Sequence, residues 1–477
     1  MWLQEYLTFL RPLFTSDAEL QEFIDTMKKP LKKTIKILHS RIDQQSFDER
    51  IKDRWWHLTP TQFEQFQDIF YIDRDDTNIP LGKTFLHLLW FFYMQELAAS
   101  VPAHFVDIPD NGLVLDMCAA PWGKTIQLAD YARENNTNAL IVANEVNSRR
   151  IPALGSNITR TGMYNTIVTK FDWALFGKRY PELFDAVLLD APCSGEWTAF
   201  KSDSSYKRRK PAGINKIARL QQSLLVSAVK TCKPWGSIVF STCTLNPIEN
   251  EKNILAILKK YPDILELEDT HIQPAEYGFT AIWDEELLNE SQAKKCLRCR
   301  PHKQWTGWFF VAKFRKKASV YDTIDQDYPE HEQNLKYFDI SSSSQKQIKK
   351  FLSDEFAIQI SDDMLFVRTP KYVYATTQKF ADIRPHMACD RVGVPVLKWS
   401  GSHDRRPTHV AWLLRWSQDL KHHITLTFDQ VQTYVQQQDI PFPDYKNGYY
   451  FLQREWYGVW VGKVVDGILK NKFVKVI

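Results

Sequence analysis

Glycine is scarce in this chain and tryptophan is abundant. There are 17 glycines and 16 tryptophans among 477 residues, whereas glycine alone makes up about 7% of a typical globular protein. The two residue types together approach that share. The deficit bears on the turns of the protein, because glycine supplies positive φ and close backbone approach at little cost.

The sequence also lacks a secretory signal and a membrane-spanning run. The start, MWLQEYLTFLRPLF, contains acidic Glu5 and no basic region ahead of its apolar residues, unlike a signal peptide. The longest apolar stretch, LHLLWFFYM at 86–94, is about half the roughly 20 residues that a spanning helix needs. Seven scattered cysteines suit free thiols in a reducing compartment better than a disulfide framework. We therefore expect a cytoplasmic protein that does not enter a membrane.

No large excess of one charge is present. The chain has 61 basic and 57 acidic residues, so any affinity for nucleic acid must come from local patches. Basic runs are usually solvated surface, but they are also candidate phosphate contacts. The candidates are Lys28, Lys29, Lys32, Lys33 and Lys36, the run KRRK at 207–210, and CRPHK at 299–303. Cys296 and Cys299 form one CxxC pair without a second, which does not predict a zinc site; no metal is expected.

Short β-branched runs alternate with helical segments from residue 112 onward. This alternation is typical of βαβ units and of a doubly wound, mostly parallel α/β sheet. Apolar residues at helical spacing over 215–232 predict one crossover helix, and GWFFVAKFR at 307–315 predicts a late edge strand. The runs that predict the sheet are LVLDM at 113–117, ALIVANE at 139–145, TIVTKFD at 166–172, DAVLLD at 185–190 and SIVFST at 237–242.

A chain of this length exceeds the usual size of one hydrophobic core, so two to four domains are expected. Composition shifts suggest a small N-terminal α+β domain and a polar, aperiodic stretch after residue 315. Turn-rich, strand-like text follows residue 385. The predicted division is 1–95, 96–318 for the α/β domain, 319–385 for a linker with a small intermediate domain, and 386–477 for a β-rich domain.

Three segments place polar side chains after predicted strands, where open α/β sheets bind ligands. LDMCAAPWGKT at 115–125 leads from a strand through a small-residue turn into a helix, whose N–H groups suit an anionic group. LLDAPCSG at 188–195 carries Asp190 and Cys193, and FSTCTLNPIENE at 240–251 carries Cys243. A buried cysteine is more often inert than nucleophilic. Two thiols beside Asp190 and Lys124 on one rim, however, favour a chemical role.

These residue types suit methyl transfer to C5 of cytosine. A thiolate that adds to C6 converts the ring to an enamine, which can attack an electrophilic methyl group. A basic neighbour such as Lys124 would lower the pKa of that thiol, and a carboxyl group at Asp190 can hydrogen-bond N3 of the base. A second thiol can assist the loss of the C5 proton and the release of the base.

The motifs MCAAPWGKT, DAPCSGE and STCTLNPIENE resemble the Nol1/Nop2/Sun family of RNA (cytosine-5) methyltransferases. The resemblance continues in ANEVNSRRIPALGSNITRTG at 143–162 and YMQELAAS at 93–100, and it covers roughly residues 25–315 well. It implies a Rossmann-like domain that uses S-adenosylmethionine. It also implies that Cys243 is the nucleophile, that Cys193 assists release, and that Asp190 and Lys124 bind and polarise the base.

The resemblance further implies a set of cofactor ligands. The turn after the first strand would hold the methionine end, Glu145 the ribose hydroxyls, and Asp172 the adenine side, with Asp190 also at the cofactor. Arg150 matches a family arginine, and a surface helix residue is an equal interpretation of it. The turn consists of Cys118, Ala119, Ala120, Pro121, Trp122, Gly123 and Lys124.

Tryptophan stands where the family has glycine at several positions. In the turn the sequence is PWGK instead of PGGK, and tryptophan at 122 would carry strain of about 1–3 kcal/mol. Its indole can also fill the methionine pocket, so reduced cofactor affinity and turnover are expected. Natural divergence, codon reading and deliberate alteration are all compatible with the sequence. The other positions are Trp90, Trp173, Trp197, Trp235 and Trp308.

The C-terminal stretch GKVVDGILKN at 462–471 is similar to bacterial family members that act on small-subunit rRNA. The resemblance thus implies a monomer that methylates a specific cytosine in 16S rRNA, free or in the small ribosomal subunit. The N-terminal subdomain and a PUA-like C-terminal domain would bind RNA. Two other functions stay open: a noncatalytic RNA-binding ribosome-assembly protein on the same fold, and a methyltransferase for tRNA or 23S rRNA.

Overall fold

The computed structural model divides into two compact units. The first comprises Met1–Thr84, Phe91–Leu154 and Thr169–Pro329, and the second comprises Phe85–Trp90, Gly155–Val168 and Glu330–Ile477. The basic run at 207–210 and Trp197 lie outside the described residues. The structure describes residues 8–52, 54–75, 77–195, 211–283, 285–322, 337–356, 358, 360, 364–400, 404–408, 410–411, 423–454 and 457–471.

The N-terminal part of the first unit contains a four-stranded antiparallel sheet of order β2-β3-β1-β4. Its first helix begins after Ser16, whose side chain accepts a hydrogen bond from the backbone N–H of Glu19 at 3.1 Å, a typical N-cap. Ile35 and Ile37 are fully buried and form part of its core. The elements are α1 Asp17–Met27, β1 Thr34–Ile37, α2 Gln44–Lys52, β2 Trp56–Pro60, β3 Ile69–Arg74, α3 Phe85–Leu88 of the second unit, and β4 Phe92–Met94, with 3-10 turns at Arg11–Leu13 and Leu81–Lys83.

The α/β part that follows alternates strands and helices, as predicted. The strands β5, β6 and β7 are buried along their whole length, which is typical of parallel strands covered on both faces. The strands are β5 Leu113–Asp116, β6 Leu140–Asn144, β7 Thr166–Thr169, β8 Phe184–Asp190, β9 Cys232–Thr242, β10 Leu265–Glu268, β11 Glu276–Tyr277, β12 Ala281–Ile282, β13 Glu285–Glu286, β14 Leu297–Cys299 and β15 Phe309–Lys316. The helices are α4 Leu97–His104, α5 Gly123–Glu134, α6 Ile151–Thr161, α7 Phe176–Arg179, α8 Pro211–Thr231, α9 Glu251–Lys260, α10 Glu290–Lys294 and α11 Pro301–Gln304, with a 3-10 turn at Trp173–Leu175.

In the first unit the central sheet has the order β6-β5-β8-β9-β15-β14-β11, and β10 also pairs with β15. The pairs β5–β6, β5–β8 and β8–β9 are parallel, whereas β15 runs antiparallel to β9. This confirms a Rossmann-like α/β sheet. The crossover helix predicted over 215–232 is confirmed as α8.

The prediction that residues 307–315 form an edge strand is wrong. β15 lies between β9 and β14 in the sheet and is hydrogen-bonded on both sides. Phe309, Phe310, Val311 and Ala312 are consecutive and buried. An unbroken apolar run of this kind is typical of an interior strand covered on both faces.

Lys36 is wrongly predicted as a phosphate contact. Its side chain is fully buried in β1, and its ammonium group pairs with Asp68 and lies 3.7 Å from Asp130. A buried charge must be paired, and Lys36 therefore belongs to the interior. Lys28, Lys29, Lys32 and Lys33 are exposed and stay candidate RNA contacts.

The predicted patch at 299–303 is also largely internal. Arg300 Nη1 lies 3.3 Å and His302 Nε2 lies 3.1 Å from Glu19 Oε1, and all three side chains are buried. Burial raises the pKa of Glu19, but hydrogen bonds from Thr15 and His302 and the charge of Arg300 outweigh it and lower that pKa to about 2. Arg300 and His302 therefore attach α1 to the α/β part, and only Lys303 reaches solvent, with 40% of its side chain exposed.

The second unit contains two five-stranded sheets, of orders β16-β17-β18-β20-β21 and β22-β24-β25-β26-β23. β18 and β20 lie on opposite sides of the predicted boundary at residue 385 and pair with each other. The domain boundaries remain a prediction. β19 pairs antiparallel with β7. The elements are β16 Phe338–Asp339, α12 Ser342–Phe356, β17 Met364–Arg368, β18 Tyr372–Thr377, α13 Lys379–Ile383, β19 Arg391–Val392, β20 Val394–Ser400, β21 Asp404–Pro407, β22 His423–Thr425, α14 Phe428–Val435, β23 Ile440–Pro441, β24 Gly448–Arg454, β25 Tyr457–Val465 and β26 Ile468–Lys470.

Two predictions made from the whole sequence, on membrane spans and on cysteines, can be compared with the structure. Within the described part of the chain, no helix is both long and apolar enough to cross a bilayer. All seven cysteines are free thiols.

A buried ion pair holds the segment that follows β9. Glu251, the first residue of α9, accepts hydrogen bonds from Arg298 of β14 at 2.6 Å (Nε to Oε1) and 2.5 Å (Nη2 to Oε2). Arg298 Nη1 also donates to the carbonyl oxygen of Leu245 at 2.9 Å. The two charged side chains are 1% and 0% exposed. Arg298 thus connects the loop after Cys243 to the sheet.

Replacing one partner of this pair should destabilise the protein strongly. We expect Arg298→Met to lower the free energy of unfolding by about 3–5 kcal/mol, because the carboxylate of Glu251 stays buried without its partner. Urea denaturation measures the change. Lys317→Met is the control, because Lys317 and Glu266 form an exposed pair at 3.3 Å, worth about 0–1 kcal/mol. Equal losses for the two variants would contradict this account.

Candidate active site

Two thiols meet at the carboxyl ends of β8 and β9. These strands are parallel neighbours, with Asp190 opposite Ser241 in the register, so the segments after them leave the sheet at the same edge. Cys193 Sγ and Cys243 Sγ lie 2.7 Å apart, in a hydrogen bond in which either sulfur can donate. Both residues are partly buried. The two cysteines that the sequence placed on one rim are therefore in direct contact.

An ion pair lies at the same strand ends. Lys124, in the first turn of α5, donates from Nζ to Asp190 Oδ2 at 2.7 Å. Ser241 donates from Oγ to the other oxygen, Oδ1, at 2.9 Å. The Asp190 side chain is 27% exposed and that of Lys124 is 12% exposed. This leaves a carboxyl group and an ammonium group accessible beside the thiols.

Ser241 was missed as a candidate residue from the sequence. A signal for it exists, because side chains two residues apart on a strand point to the same face. Ser241 is two residues before Cys243 and lies at the end of β9. Its hydroxyl group orients the carboxyl group of Asp190.

The contact makes the two sulfur atoms chemically different. The hydrogen bond to Cys243 raises the pKa of the Cys193 thiol well above its ordinary value. Burial, the charge of Cys243 and the charge of Glu249 raise it further. Cys193 therefore keeps its proton at neutral pH and can act as a proton donor within the pair.

A second carboxyl group belongs to Asp116, the last residue of β5, just before the turn of residues 118–124. Burial raises the pKa of Asp116 to about 7, opposed by a hydrogen bond from the Thr125 hydroxyl and supported by the negative charge of Asp190. The Thr125 hydroxyl donates to Asp116 Oδ2 at 2.6 Å. Asp116 is thus a buried carboxyl group that titrates near neutral pH.

Glu145 and Arg150 lie next to the turn that follows β5. Glu145 is 2% exposed, and its Oε2 lies 3.2 Å from Nη1 of Arg150. Arg150 also donates to the carbonyl oxygen of Ala120 in the turn. Glu145 Oε1 accepts from the backbone N–H of Asn147 at 2.8 Å. Arg150 therefore links the predicted ribose ligand to the predicted methionine loop, although its side chain is 47% exposed.

The turn itself is anchored by its backbone. Ala119 N–H donates to the carbonyl oxygen of Asn144 at 2.9 Å, and burial raises the pKa of the Cys118 thiol well above its ordinary value. Trp122 has φ 128°, and its ring centroid lies 5.6 Å from that of Tyr93. The Tyr93 hydroxyl donates to the carbonyl oxygen of Gly123 at 3.2 Å.

Asp172 lies after β7 and is exposed. Its Oδ1 accepts from the backbone N–H of Ala174 at 3.0 Å and caps the short 3-10 turn. Together with Glu145, it offers carboxylate acceptors for hydroxyl and amine donors, which fits the adenosine portion of S-adenosylmethionine. Trp122 is the one residue in the turn whose backbone and side chain do not fit the expected cofactor loop.

Comparisons with known proteins identify the family to which the chain is similar. Residues 103–315 match the family model described as 16S rRNA methyltransferase RsmB/F. The "Ribosomal RNA small subunit methyltransferase F" of Vibrio cholerae is 30% identical over 483 residues, which cover 99% of this chain and 97% of that protein. The protein of the same name from Erwinia tasmaniensis is 37% identical over 318 residues, covering 65% of this chain and 63% of that protein.

The chain belongs to the ribosomal RNA small subunit methyltransferase F family. This confirms the membership in the Nol1/Nop2/Sun family that the motifs predicted. Among solved structures, a methyltransferase homolog from Pyrococcus horikoshii is 27% identical with a TM-score of 0.54 and covers 65% of this chain and 98% of that chain. NSun6 from the same organism, solved with SFG, shares the fold at 20% identity and a TM-score of 0.53 over 66% of this chain and 98% of that chain.

The raised pKa of Asp116 predicts a pH dependence of stability. The folded pKa of about 7 exceeds the value of about 3.9 in an unfolded chain, so the folded state binds the proton more tightly. Stability should therefore fall as the pH rises from about 4 to about 7, by at most about 1.4 kcal/mol per pH unit from this group. Urea denaturation at several pH values measures it.

Asp116→Asn should remove this component and flatten the profile over that range. The matched control is Asp110→Asn, which changes an exposed aspartate and should leave the slope unchanged. If the protein and Asp116→Asn show the same slope, Asp116 does not titrate near neutral pH.

Proposed function

We propose that this protein methylates C5 of a cytosine in 16S rRNA through a covalent bond between Cys243 and C6 of the base. The observation that carries the proposal is the 2.7 Å contact between the two thiols beside the pair of Lys124 and Asp190. A lone buried cysteine is usually inert. A pair of thiols next to a carboxyl and an ammonium group provides a nucleophile, an acid and a means to polarise a base.

The first step uses Cys243 as the nucleophile. Its thiolate forms a bond to C6, and the proton that the Cys243 thiol loses passes through Asp190 to N3, where it neutralises the electron pair displaced onto the ring. The proton returns from N3 to Asp190 when C5 takes the methyl group. The ammonium group of Lys124, 2.7 Å from Asp190, stabilises the same negative charge. S-adenosylmethionine, when bound, supplies the electrophilic methyl group that C5 takes. Glu145, Asp172 and the turn of residues 118–124, apart from the indole of Trp122, would hold this cofactor.

The last step releases the base and uses Cys193. The proton on C5 must leave, and the bond between Cys243 and C6 must break as the ring double bond re-forms. Cys193 gives its proton to the departing sulfur of Cys243 and takes the C5 proton in exchange. Its raised pKa suits both transfers, because a thiol that holds its proton tightly becomes a strong base once it has lost it.

Relatives support the substrate and the cofactor. Two proteins named as small-subunit rRNA methyltransferases align with this chain, one of them over 99% of its length. A structural neighbour was solved with SFG, an analogue of S-adenosylmethionine. The flipped base would approach the site in an RNA held by exposed lysines such as Lys28 and Lys32.

Substitution of each thiol should separate the two steps. We expect Cys243→Ala to abolish methyl transfer from labelled S-adenosylmethionine to 16S rRNA, because no covalent bond to C6 forms. Cys193→Ala should instead accumulate a protein–RNA adduct, visible as a slower band on a denaturing gel, because release fails.

Cys389→Ala serves as the control, since its thiol belongs to the second unit and should leave methyl transfer intact. An adduct that requires Cys193 and forms without Cys243 would reverse the assigned roles. If 16S rRNA binds but no methyl transfer occurs in the unaltered protein or in Trp122→Gly, the noncatalytic assembly role is favoured.

A further inference from the structure

The backbone on both sides of Cys193 is held by two buried side chains. The N–H of Ser194 donates to Glu249 Oε2 at 2.9 Å. The carbonyl oxygen of Pro192 accepts from Gln221 Nε2 at 2.8 Å. The peptide groups that flank the thiol are thus fixed by residues from α8 and from the segment before α9.

These side chains form one network. Gln221 Nε2 also donates to Glu249 Oε2 at 2.9 Å. Asn253 Nδ2 donates to Gln221 Oε1 and to the carbonyl oxygen of Glu249, both at 2.8 Å. All three side chains are 0% exposed. A buried carboxylate costs stability even when it is hydrogen-bonded, so a network of this kind beside a reactive thiol calls for a functional explanation.

We propose that Glu249 is a positioning residue that fixes Cys193 against Cys243 and keeps the roles of the two sulfur atoms distinct. The inference rests on the proposed function and deepens it. Through its hydrogen bonds Glu249 sets the path of the turn, and through its negative charge it raises the pKa of Cys193. It touches the peptide beside the thiol and acts through that thiol.

Glu249→Gln tests the charge with little change of shape. Alkylation of each cysteine by iodoacetamide, followed by peptide mass spectrometry over a pH series, reports the fraction of thiolate. We expect Cys193 to react several-fold faster at neutral pH in the variant, because the opposing charge is gone. The methylation cycle should slow at release, so that the protein–RNA adduct becomes visible without substitution of either cysteine.

Gln221→Met separates position from charge and serves as the second variant. It removes the hydrogen bond to Pro192 while Glu249 stays ionised, so release should slow without faster alkylation of Cys193. Glu285→Gln, at an exposed glutamate, should change neither readout. Unchanged Cys193 alkylation in a folded Glu249→Gln protein would overturn the proposal, and since alkylation needs no methyl transfer, this result is independent of the proposed function.

A separate observation concerns the tryptophans. Among the residues that the structure describes, twelve other than glycine have a positive φ, and six of these are tryptophan. Only 16 of the 477 residues of the chain are tryptophan. A bulky side chain in this region of backbone conformation is an outlier, whereas glycine adopts it freely. The six are Trp55 (φ 55°), Trp90 (φ 57°), Trp122 (φ 128°), Trp235 (φ 66°), Trp283 (φ 50°) and Trp305 (φ 49°).

Burial does not offset the strain at three of these residues, whereas Trp90 is buried and Trp283 packs against a core cluster. The side chains of Trp55, Trp235 and Trp305 are 68%, 69% and 43% exposed, so they gain little from burial. Trp90, Trp122 and Trp235 are also positions where the resemblance expects glycine. Trp173 and Trp308, where the resemblance also expects glycine, do not have a positive φ.

We infer that the working form of this protein carries glycine at these six positions, because the producing cell reads their codon as glycine. Random divergence would not concentrate tryptophan at positions of positive φ, whereas reading one glycine codon as tryptophan would. The turn after β5 would then have two adjacent glycines and no indole. The cofactor loop would have the backbone freedom that its positive φ requires.

Trp55 and its neighbour Trp56 form a matched pair for a test. Trp56 lies in β2, is 7% exposed, and packs against Phe92 at 6.0 Å. Trp55→Gly should raise the midpoint of urea denaturation, because it relieves strain, whereas Trp56→Gly should lower it. Trp122→Gly should raise the affinity for S-adenosylmethionine on the order of tenfold in calorimetry.

Mass spectrometry of the protein isolated from the cells that produce it tests directly whether these positions carry glycine. Peptides that span positions 55, 122 and 235 should have the mass of glycine at each position. Tryptophan at these positions would overturn the inference. So would a Trp55→Gly variant that loses as much stability as Trp56→Gly.

Discussion

The contact between the sulfur atoms of Cys193 and Cys243, at 2.7 Å, is the constraint on which the site depends. It exists because β8 and β9 are parallel neighbours that end at the same edge of the sheet. The contact raises the pKa of Cys193. Two otherwise identical thiol groups therefore differ in how tightly they hold a proton. In the proposed function, one sulfur bonds to carbon and the other carries a proton to and from the ring. Lys124 reaches the same edge from α5 and donates a hydrogen bond to Asp190, through which it is proposed to stabilise charge on the base.

The segment after Cys243 shows how the fold supports that contact. Glu249 bonds to the turn of Cys193, and two residues later Glu251 pairs with Arg298 in the sheet. Both carboxylates are fully buried. Two buried charges in one short segment cost stability unless their partners are in place, so the segment adopts one defined path. The proposed exchange of protons between two sulfur atoms needs such rigidity, because small displacements weaken a catalytic arrangement greatly.

Local patterns predicted the strands, the crossover helix α8 and the motifs at the strand ends, because alternation and strand-end placement are properties of short segments. They failed where a partner distant in the chain decides the outcome. From the sequence Lys36 is predicted to be a surface lysine. In the structure it is buried beside Asp68 and Asp130. Arg300 can be buried because it forms an ion pair with Glu19, which is far away in the sequence. Gln221 carries no local signal at all. The positive φ of Trp122 could be predicted only because the family has glycine at that position. The positive φ of Trp55, Trp283 and Trp305 is seen only in the structure.

The most direct measurement traps the bond between protein and base. A 16S rRNA containing 5-fluorocytidine keeps its C5 substituent, so a covalent intermediate formed with S-adenosylmethionine cannot release. Protease digestion and mass spectrometry of the trapped complex identify the attached residue. The account predicts a methylated fluorocytidine joined to the peptide that contains Cys243, with Cys193 unmodified. Attachment at Cys193, or methyl transfer to unmodified 16S rRNA with no trapped peptide from its fluorinated counterpart, would contradict it.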